Sequence, residues 1–545
     1  MKFKKKYLLA LLPIFLFALV LSGCGSSAEK DSKDTLSISS SDVIATMDSS
    51  MNTDVIGAQN LTNTMEGLYR YDGKELKPAI AKKVVKPTNN GKTYTFELKH
   101  TKWSNGKPVT ANDFVYAWRR TVDPKTASQY AYIYSGILNA DKINTGKKPV
   151  NSLGIKALGK YKLEVTLENP IPYFNTLMAS STFYPQYKPA VEKAGKQYGL
   201  KSAGMVFNGP FKLVNWSVSN NSWTEVKNNS YWNAKAVRLK KVKYYVVKDA
   251  NTGLNLYDTN RINRLEKISG DTARQVSNYK TFSLDNQAAT FYIELNQKKY
   301  KFFRNKKIRQ AISMSINRKQ LTDNVLGKTA SVDDTVVPRD MSYNPKTKVD
   351  FTKEKALDAT NKYSEYNPTE ATKLWKEGLK ETGQKNLNFT LLGDDTDGSK
   401  KQNEYLQGKM EKNLPGIKIT LQNVPFKSRL DKSSSGQFDM VVTAWNADYP
   451  DPFTFLGLFT SDNPQNDGKW SNKEFDDLIE KSSTTDANDE EARWQDMLDA
   501  TKILTEEQGA VPLYQTSQAN LTRTNVKNYT ITPNGSYNLV NTYKK

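Results

Sequence analysis

The stretch Asn90-Gly91-Lys92-Thr93-Tyr94-Thr95-Phe96-Glu97-Leu98, followed shortly by Lys107-Pro108-Val109-Thr110-Ala111-Asn112-Asp113-Phe114, holds a turn, a strand and a helix start in close succession. From Thr93 to Leu98 apolar and polar residues alternate with period two, which predicts a half-buried strand. Gly91 just before it suits a turn. Thr110 stands where a helix N-cap belongs. Asp113 falls at the third helical position, where a carboxylate can cap a free backbone N–H. Phe114, Ala117 and Trp118 then share one helical face.

The same mixed pattern continues outward. Residues 161–167 alternate and end at Asn169-Pro170, and residues 240–247 read as another strand. A strand over 291–296 leads into 307–316, where Ile308, Ala311, Ile312 and Ser315 recur at helical spacing. Residues 388–392 and 417–421 read as strands flanking a helix at 401–412. This strand–helix–strand unit predicts a second α/β lobe beginning near residue 297. The segment Val511-Pro512-Leu513-Tyr514 is expected to return to the first lobe. The sequence has no internal repeat, and its 545 residues exceed what one hydrophobic core holds, so two or three domains are expected.

The N-terminus addresses the chain. Lys2, Lys4, Lys5 and Lys6 precede an apolar run from residue 7 to 21, and Leu21-Ser22-Gly23-Cys24 follows. This is the layout of a secretory signal. The run of 15 residues is shorter than the roughly 20 of a spanning helix; a short uncleaved anchor is the other reading. Leu-Ser-Gly-Cys resembles the lipobox of bacterial lipoproteins, in which the cysteine takes a diacylglyceryl group through its thiol. Cys24 is the sole cysteine, so an intrachain disulfide is impossible. Residues 25–34 are small, polar and charged and read as a flexible tether. The formal charge is +22; cleavage after residue 23 removes four lysines and no acids, leaving +18. Nucleic-acid binding is one reading of such a balance. The export signal and the scattered lysines favour a solvated basic surface beside an anionic envelope.

Four segments carry a family resemblance. The first runs from Lys77-Pro78-Ala79-Ile80-Ala81 through the opening stretch to Phe114. The others are Asn208-Gly209-Pro210-Phe211, Lys307-Ile308-Arg309-Gln310-Ala311-Ile312 with Ile316-Asn317-Arg318, and Trp445-Asn446-Ala447-Asp448-Tyr449-Pro450-Asp451-Pro452. In this order and spread, the chain resembles the family-5 extracellular solute-binding proteins, the oligopeptide- and dipeptide-binding partners of ABC importers. The resemblance implies an α/β, periplasmic-binding-protein-like type II (cluster C) fold, with two lobes, an extra subdomain and a hinge of two chain crossings. The expected division is a signal peptide at 1–23 and the lipidated cysteine and tether at 24–34. Lobe I would comprise 35–66, 205–296 and 512–545, with an extra subdomain at 67–204, and lobe II residues 297–511.

The resemblance also implies a site. In peptide-binding members an aspartate in the Trp-x-Ala-Asp segment pairs with the peptide α-ammonium, and Asp448 holds that position. A carboxylate facing an ammonium makes a charge-assisted hydrogen bond. A solvated loop aspartate or helix cap is the alternative. Trp445 and Phe426 match aromatics lining the family's pocket, with core packing as the alternative for each; aromatic rings give large rigid contact area. Asn446, Tyr449 and Tyr514 complete the expected lining. An extended peptide would pair its backbone with strand edges of both lobes, and its side chains would enter wet, adaptable pockets. The residues that anchor a peptide's C-terminal carboxylate are not identified by sequence, so ligand length stays open.

Other chemistry finds little support. Gly393-Asp394-Asp395-Thr396-Asp397-Gly398 with Glu404 partly fits a calcium loop, but Gly393 at its first position has no carboxylate. A ligand-facing loop is the better reading. His100 is the sole histidine and Cys24 the sole cysteine, so neither a nucleophile–histidine machine nor a His- or Cys-rich metal site can be built. No cofactor, metal or nucleic acid is expected. The expected partners are an oligopeptide, an ABC permease and, through Cys24, a membrane; the protein itself is expected to be a monomer on the outer face of a Gram-positive envelope. A peptide-pheromone receptor, a binder of another ligand and a surface adhesin are the alternatives.

Overall fold

The computed structural model describes residues 32–532 and 535–545. The predicted signal and Cys24 lie outside these residues. The opening stretch folds as its pattern requires: Thr93–Glu97 is a strand with Tyr94 and Phe96 turned inward, and Gly91, at φ 83°, takes the left-handed conformation of the turn. The helix Ala111–Val122 follows. The Asp113 carboxylate accepts from the Thr110 N–H at 2.7 Å and from its hydroxyl at 3.0 Å. Phe114, Ala117 and Trp118 are buried on its inner face, and the Trp118 indole donates to the Phe183 carbonyl at 2.9 Å. The Asn208-Gly209 turn is a close backbone approach, since a Cβ on Gly209 would lie 2.5 Å from the Thr64 carbonyl carbon.

Eleven described strands form one mixed sheet. In chain order they are β1 (Thr35–Ser40), β2 (Phe211–Val214), β3 (Ser222–Lys227), β4 (Lys241–Val246), β5 (Arg264–Ile268), β6 (Phe282–Leu295), β7 (Ala330–Val332), β8 (Leu387–Asp394), β9 (Ile417–Val424), β10 (Met440–Asn446) and β11 (Val511–Thr522). Their spatial order is β9-β8-β10-β6-β11-β5-β1-β4-β3-β2, with β7 against β11. β1 runs parallel to β4 and β5, and β8 parallel to β9 and β10. The helix Asp397–Asn413 connects β8 to β9, as the sequence pattern predicts. β6 and β11 are the longest strands. They pair antiparallel with register shifts between Asn286 and Thr290 and between Phe291 and Tyr292. β6 starts nine residues earlier than the strand read at 291–296, because its mostly polar first part, Phe282 to Asn286, is held by ladder pairing to β11.

The apolar residues gather in several cores. One takes residues from Leu36 to Tyr244, Tyr449 and the C-terminal Val526, Tyr537, Leu539 and Val540; Val511, Leu513 and Tyr514, expected to return to this side, pack instead in the second core. A second is built around Ile308, Ile312, Trp375, Leu391, Leu406 and Ile419, and a third around Phe455, Trp470, Phe475 and Leu498. The predicted helical face of Ile308, Ala311 and Ile312 is buried in the second core, on Lys306–Met314. Arg309 and Arg318 from that motif are scaffold groups. Arg309 donates to the carbonyls of Phe303, Arg304 and Glu507, and Arg318 to those of Pro512, Ser313 and Ser364. Among the described residues no helix is long and apolar enough to cross a membrane.

Candidate functional site

Parallel strands leave a crevice beyond their carboxyl ends, where open α/β sheets bind ligands. Here that crevice is a cavity of about 1190 Å³, above the roughly 300–1,000 Å³ of small-molecule pockets. Its wall takes Asp42 after β1, Lys248 after β4, Lys267 at the end of β5, Asp394 at the end of β8 and Phe426 just past β9.

The cavity brings together Asp448, Trp445, Asn446, Phe426 and Tyr514. Tyr449 is not on this wall; the chain bends after β10, and Tyr449 stacks on Tyr173 with ring centroids 4.0 Å apart. Phe426 opens the helix Phe426–Ser434; its N–H donates to Asp42 Oδ2 at 3.0 Å and the Arg429 guanidinium lies over its ring. Tyr514 stacks on Phe291 at 4.7 Å, and its hydroxyl donates to Gln402. Trp445 stacks on Tyr130 at 5.8 Å.

Asp448 follows β10. Its carboxylate has hydroxyl contacts, from Tyr130 at 3.4 Å and Thr454 at 3.4 Å. The Trp445 indole N–H faces it without settling into a hydrogen bond. No lysine or arginine of the described residues forms a salt bridge with it. Burial, uncompensated by a cation, pushes its carboxyl up to about 7. It is neither a helix cap nor a freely solvated loop aspartate: the nearby helix Phe453–Leu456 has Pro452 at its cap.

Several wall residues gave no sequence signal. Tyr130 reaches Asp448 from 318 residues away, and its phenol is raised by burial and by the Asp448 charge. Asp54 caps the helix Val55–Thr64, accepting from Ile56 and Gly57. Glu294 and Asp467 also line the wall; burial raises both carboxyls, and the Asp467 charge raises that of Glu294 further. The Gly393–Gly398 segment faces the cavity, as the ligand-facing reading expects, and its acids are used internally: Asp394 pairs with Arg429 at 3.0 Å and Asp395 with Lys248 at 2.7 Å. No group of three His, Cys, Asp or Glu among the described residues could hold a metal.

The walls meet around the cavity. Lys248 bridges Asp42 at 3.1 Å and Asp395 at 2.7 Å. The Asp397 N–H donates to the Lys248 carbonyl at 3.2 Å, and Gln465 donates to the Gln129 carbonyl at 3.3 Å.

Known proteins are similar to this chain in sequence and fold. Residues 75–467 match the bacterial extracellular solute-binding proteins, family 5, middle. A dipeptide-binding protein of Lactococcus lactis subsp. cremoris (strain MG1363) is 37% identical over 486 residues, 87% of this chain and 86% of that protein. The solved structure of Listeria monocytogenes OppA bound to peptide superposes with a TM-score of 0.89 at 40% identity, over 94% of this chain and 99% of that one. The pheromone receptor PrgZ, solved for its mode of peptide binding, gives 0.89 at 34% identity over 94% and 100%. The unliganded open form of the murein tripeptide binding protein MppA, at 28% identity over 94% and 97%, superposes at 0.61.

Proposed function

Since the chain belongs to the family-5 bacterial extracellular solute-binding proteins, we propose that it captures oligopeptides outside the cell and delivers them to an ABC importer. The observation that carries this reading is Asp448. A buried carboxylate without a protein cation, on the wall of a cavity large enough for several residues, is the complement of a peptide α-ammonium. Ammonium binding would stabilise the ionised form and offset its desolvation. Trp445, Phe426 and Tyr514 supply aromatic wall, and Asn446 polar wall, for side chains and backbone of variable sequence.

Closure around the ligand is part of the proposal. Lobe I would be 35–66, 205–296 and 512–545, carrying 67–204, and lobe II 297–511. The clustering of the apolar residues supports this division away from β6 and β11, whose Ile293, Leu295, Leu513 and Tyr514 pack in the second core rather than the first; these two long strands would be the crossings about which it bends. The Lys248 bridge, the Phe426–Asp42 bond and the Tyr173–Tyr449 stack across the cavity, with the poorer superposition on an open relative, support reading this as a closed form. Cys24, lipidated after removal of residues 1–23, would hold the protein at the outer membrane face. The likeness to PrgZ favours one second reading, a receptor for a signalling peptide.

The test is calorimetric titration of residues 25–545, stripped of carried-over ligand, with a pool of five- to eight-residue peptides and the same pool N-acetylated. Tight binding that weakens by about 2 kcal/mol or more on acetylation is expected. Equal binding of both pools would remove Asp448 from the reading, and binding of neither would remove nutrient peptides in general, leaving a narrow signalling ligand.

A further inference from the structure

The cations of the cavity wall differ in what they hold. Arg70, Arg120, Lys248, Lys427 and Arg429 are each paired, with Glu66, Asp48, Asp395, Asp431 and Asp394 at 2.6–3.0 Å. The Lys267 ammonium makes no salt bridge or hydrogen bond among the described residues, although it lines the same cavity. Lys125 and Lys196 are also unpaired, but they sit in a turn and a short 3-10 turn away from the sheet.

Lys267 is aimed by its backbone. It has φ 56°, unusual for a bulky side chain, and lies where the β5–β11 register shifts between Leu265 and Ile268. Bulges of this kind re-aim a side chain beside a binding site. Leu265 and Ile268 are buried, whereas the Lys267 side chain is open; since it lines the cavity, it opens into that space. Although exposed to that space, it is crowded by the cavity walls, and the resulting desolvation lowers its pKa. The carboxylates that face it are engaged elsewhere. Glu266 holds Arg264 at 2.8 Å and the Tyr529 hydroxyl at 2.8 Å, Asp394 holds Arg429, and Asp54 caps its helix. The first turn of the helix Asp397–Asn413 adjoins this place, since a Cβ on Gly398 would meet Ser269 Oγ at 2.7 Å. A helix N-terminus favours negative charge.

We propose that Lys267 is a carboxylate subsite, receiving the C-terminal carboxylate or an acidic side chain of the peptide whose ammonium Asp448 holds. This rests on the peptide-binding reading above and supplies the second anchor that sequence alone leaves unidentified. The cavity would then read both charged ends of a short zwitterionic ligand, or the amino end and one acidic side chain of a longer one.

The test titrates wild type, Lys267→Gln, Lys267→Arg and Lys267→Asn, the last suited to a left-handed backbone. Peptides of two to eight residues without acidic side chains are compared as free acids and C-terminal amides; amidated peptides with Glu are compared with their Gln counterparts. N-acetylated peptides report whether the Asp448 end is intact. For the C-terminal source, wild type prefers the free acid tenfold or more at its best length, and Lys267→Gln and Lys267→Asn lose that preference while Lys267→Arg keeps part of it. For the side-chain source, the Glu-over-Gln preference behaves this way instead. The proposal is overturned if both preferences survive in Lys267→Gln and Lys267→Asn, or if wild type has neither. Peptide binding that still depends on the free amino end would then leave the broader reading standing; absence of any peptide binding would end both.

Discussion

Asp448 and Asp451 stand three residues apart in one loop and live in opposite circumstances. Asp451 is gripped by Arg493 through two parallel hydrogen bonds of 2.8 Å, with 8% and 13% of the two side chains exposed. Asp448 has two long hydroxyl contacts and, among the described residues, no salt-bridging cation. A paired buried charge holds a fold together, because removing either partner strands the other. An unpaired one costs stability and is retained where something outside the chain completes it. On the proposed reading, the difference separates scaffold from site within a single motif.

Substitution should divide the two residues cleanly. Asp448→Asn is expected to weaken binding of free-amine peptides by about 3–5 kcal/mol, read by calorimetry. The unliganded protein should unfold no more easily at pH 8. The sign follows from the carboxyl being pushed up to about 7 by burial: its ionised form burdens the folded state increasingly as pH rises from about 4 to about 7, and asparagine removes that burden. Arg493→Met should do the reverse, lowering the urea midpoint by the equivalent of about 3 kcal/mol with less than tenfold change in affinity. Loss of stability in the first variant, or of peptide binding alone in the second, would break the comparison.

The pH profile comes next in size. Below about pH 6 the unliganded carboxyl must lose a proton before it meets an ammonium, so affinity should fall roughly tenfold per unit. Above pH 8 it should fall again as the peptide amine, with a pKa of about 8, deprotonates. Asp448→Asn should lose the acid limb. A profile unchanged by that substitution would place the titrating group elsewhere. The smallest effect is at the closing contacts. Lys248 is about a third exposed, so Lys248→Met should cost about 1 kcal/mol or less, seen as faster peptide dissociation in surface plasmon resonance.

What could be read in the sequence follows the range over which each feature is encoded. The Thr93–Glu97 strand, the Thr110–Asp113 cap and the Lys306–Met314 helix are written in neighbouring residues, and each folds as its pattern requires. The polar start of β6 has no local signal, since its extension depends on β11 more than two hundred residues away. Asp448, Trp445, Asn446, Phe426 and Tyr514 share one cavity wall, whereas Tyr449, past the bend that follows β10, stacks on Tyr173 instead. Tyr130 and Lys267 were invisible for different reasons. Tyr130 comes to Asp448 through tertiary packing alone, and Lys267 reaches the cavity through a register shift that no residue in β5 announces.

The central claim is that Asp448 waits, largely protonated below pH 7, for a ligand's ammonium. Calorimetry of peptide binding near pH 6, repeated in buffers of different ionisation enthalpy, counts the protons exchanged. The account predicts release of close to one proton per peptide from the wild type and none from Asp448→Asn. No release from the wild type, or the same release from both, would contradict it.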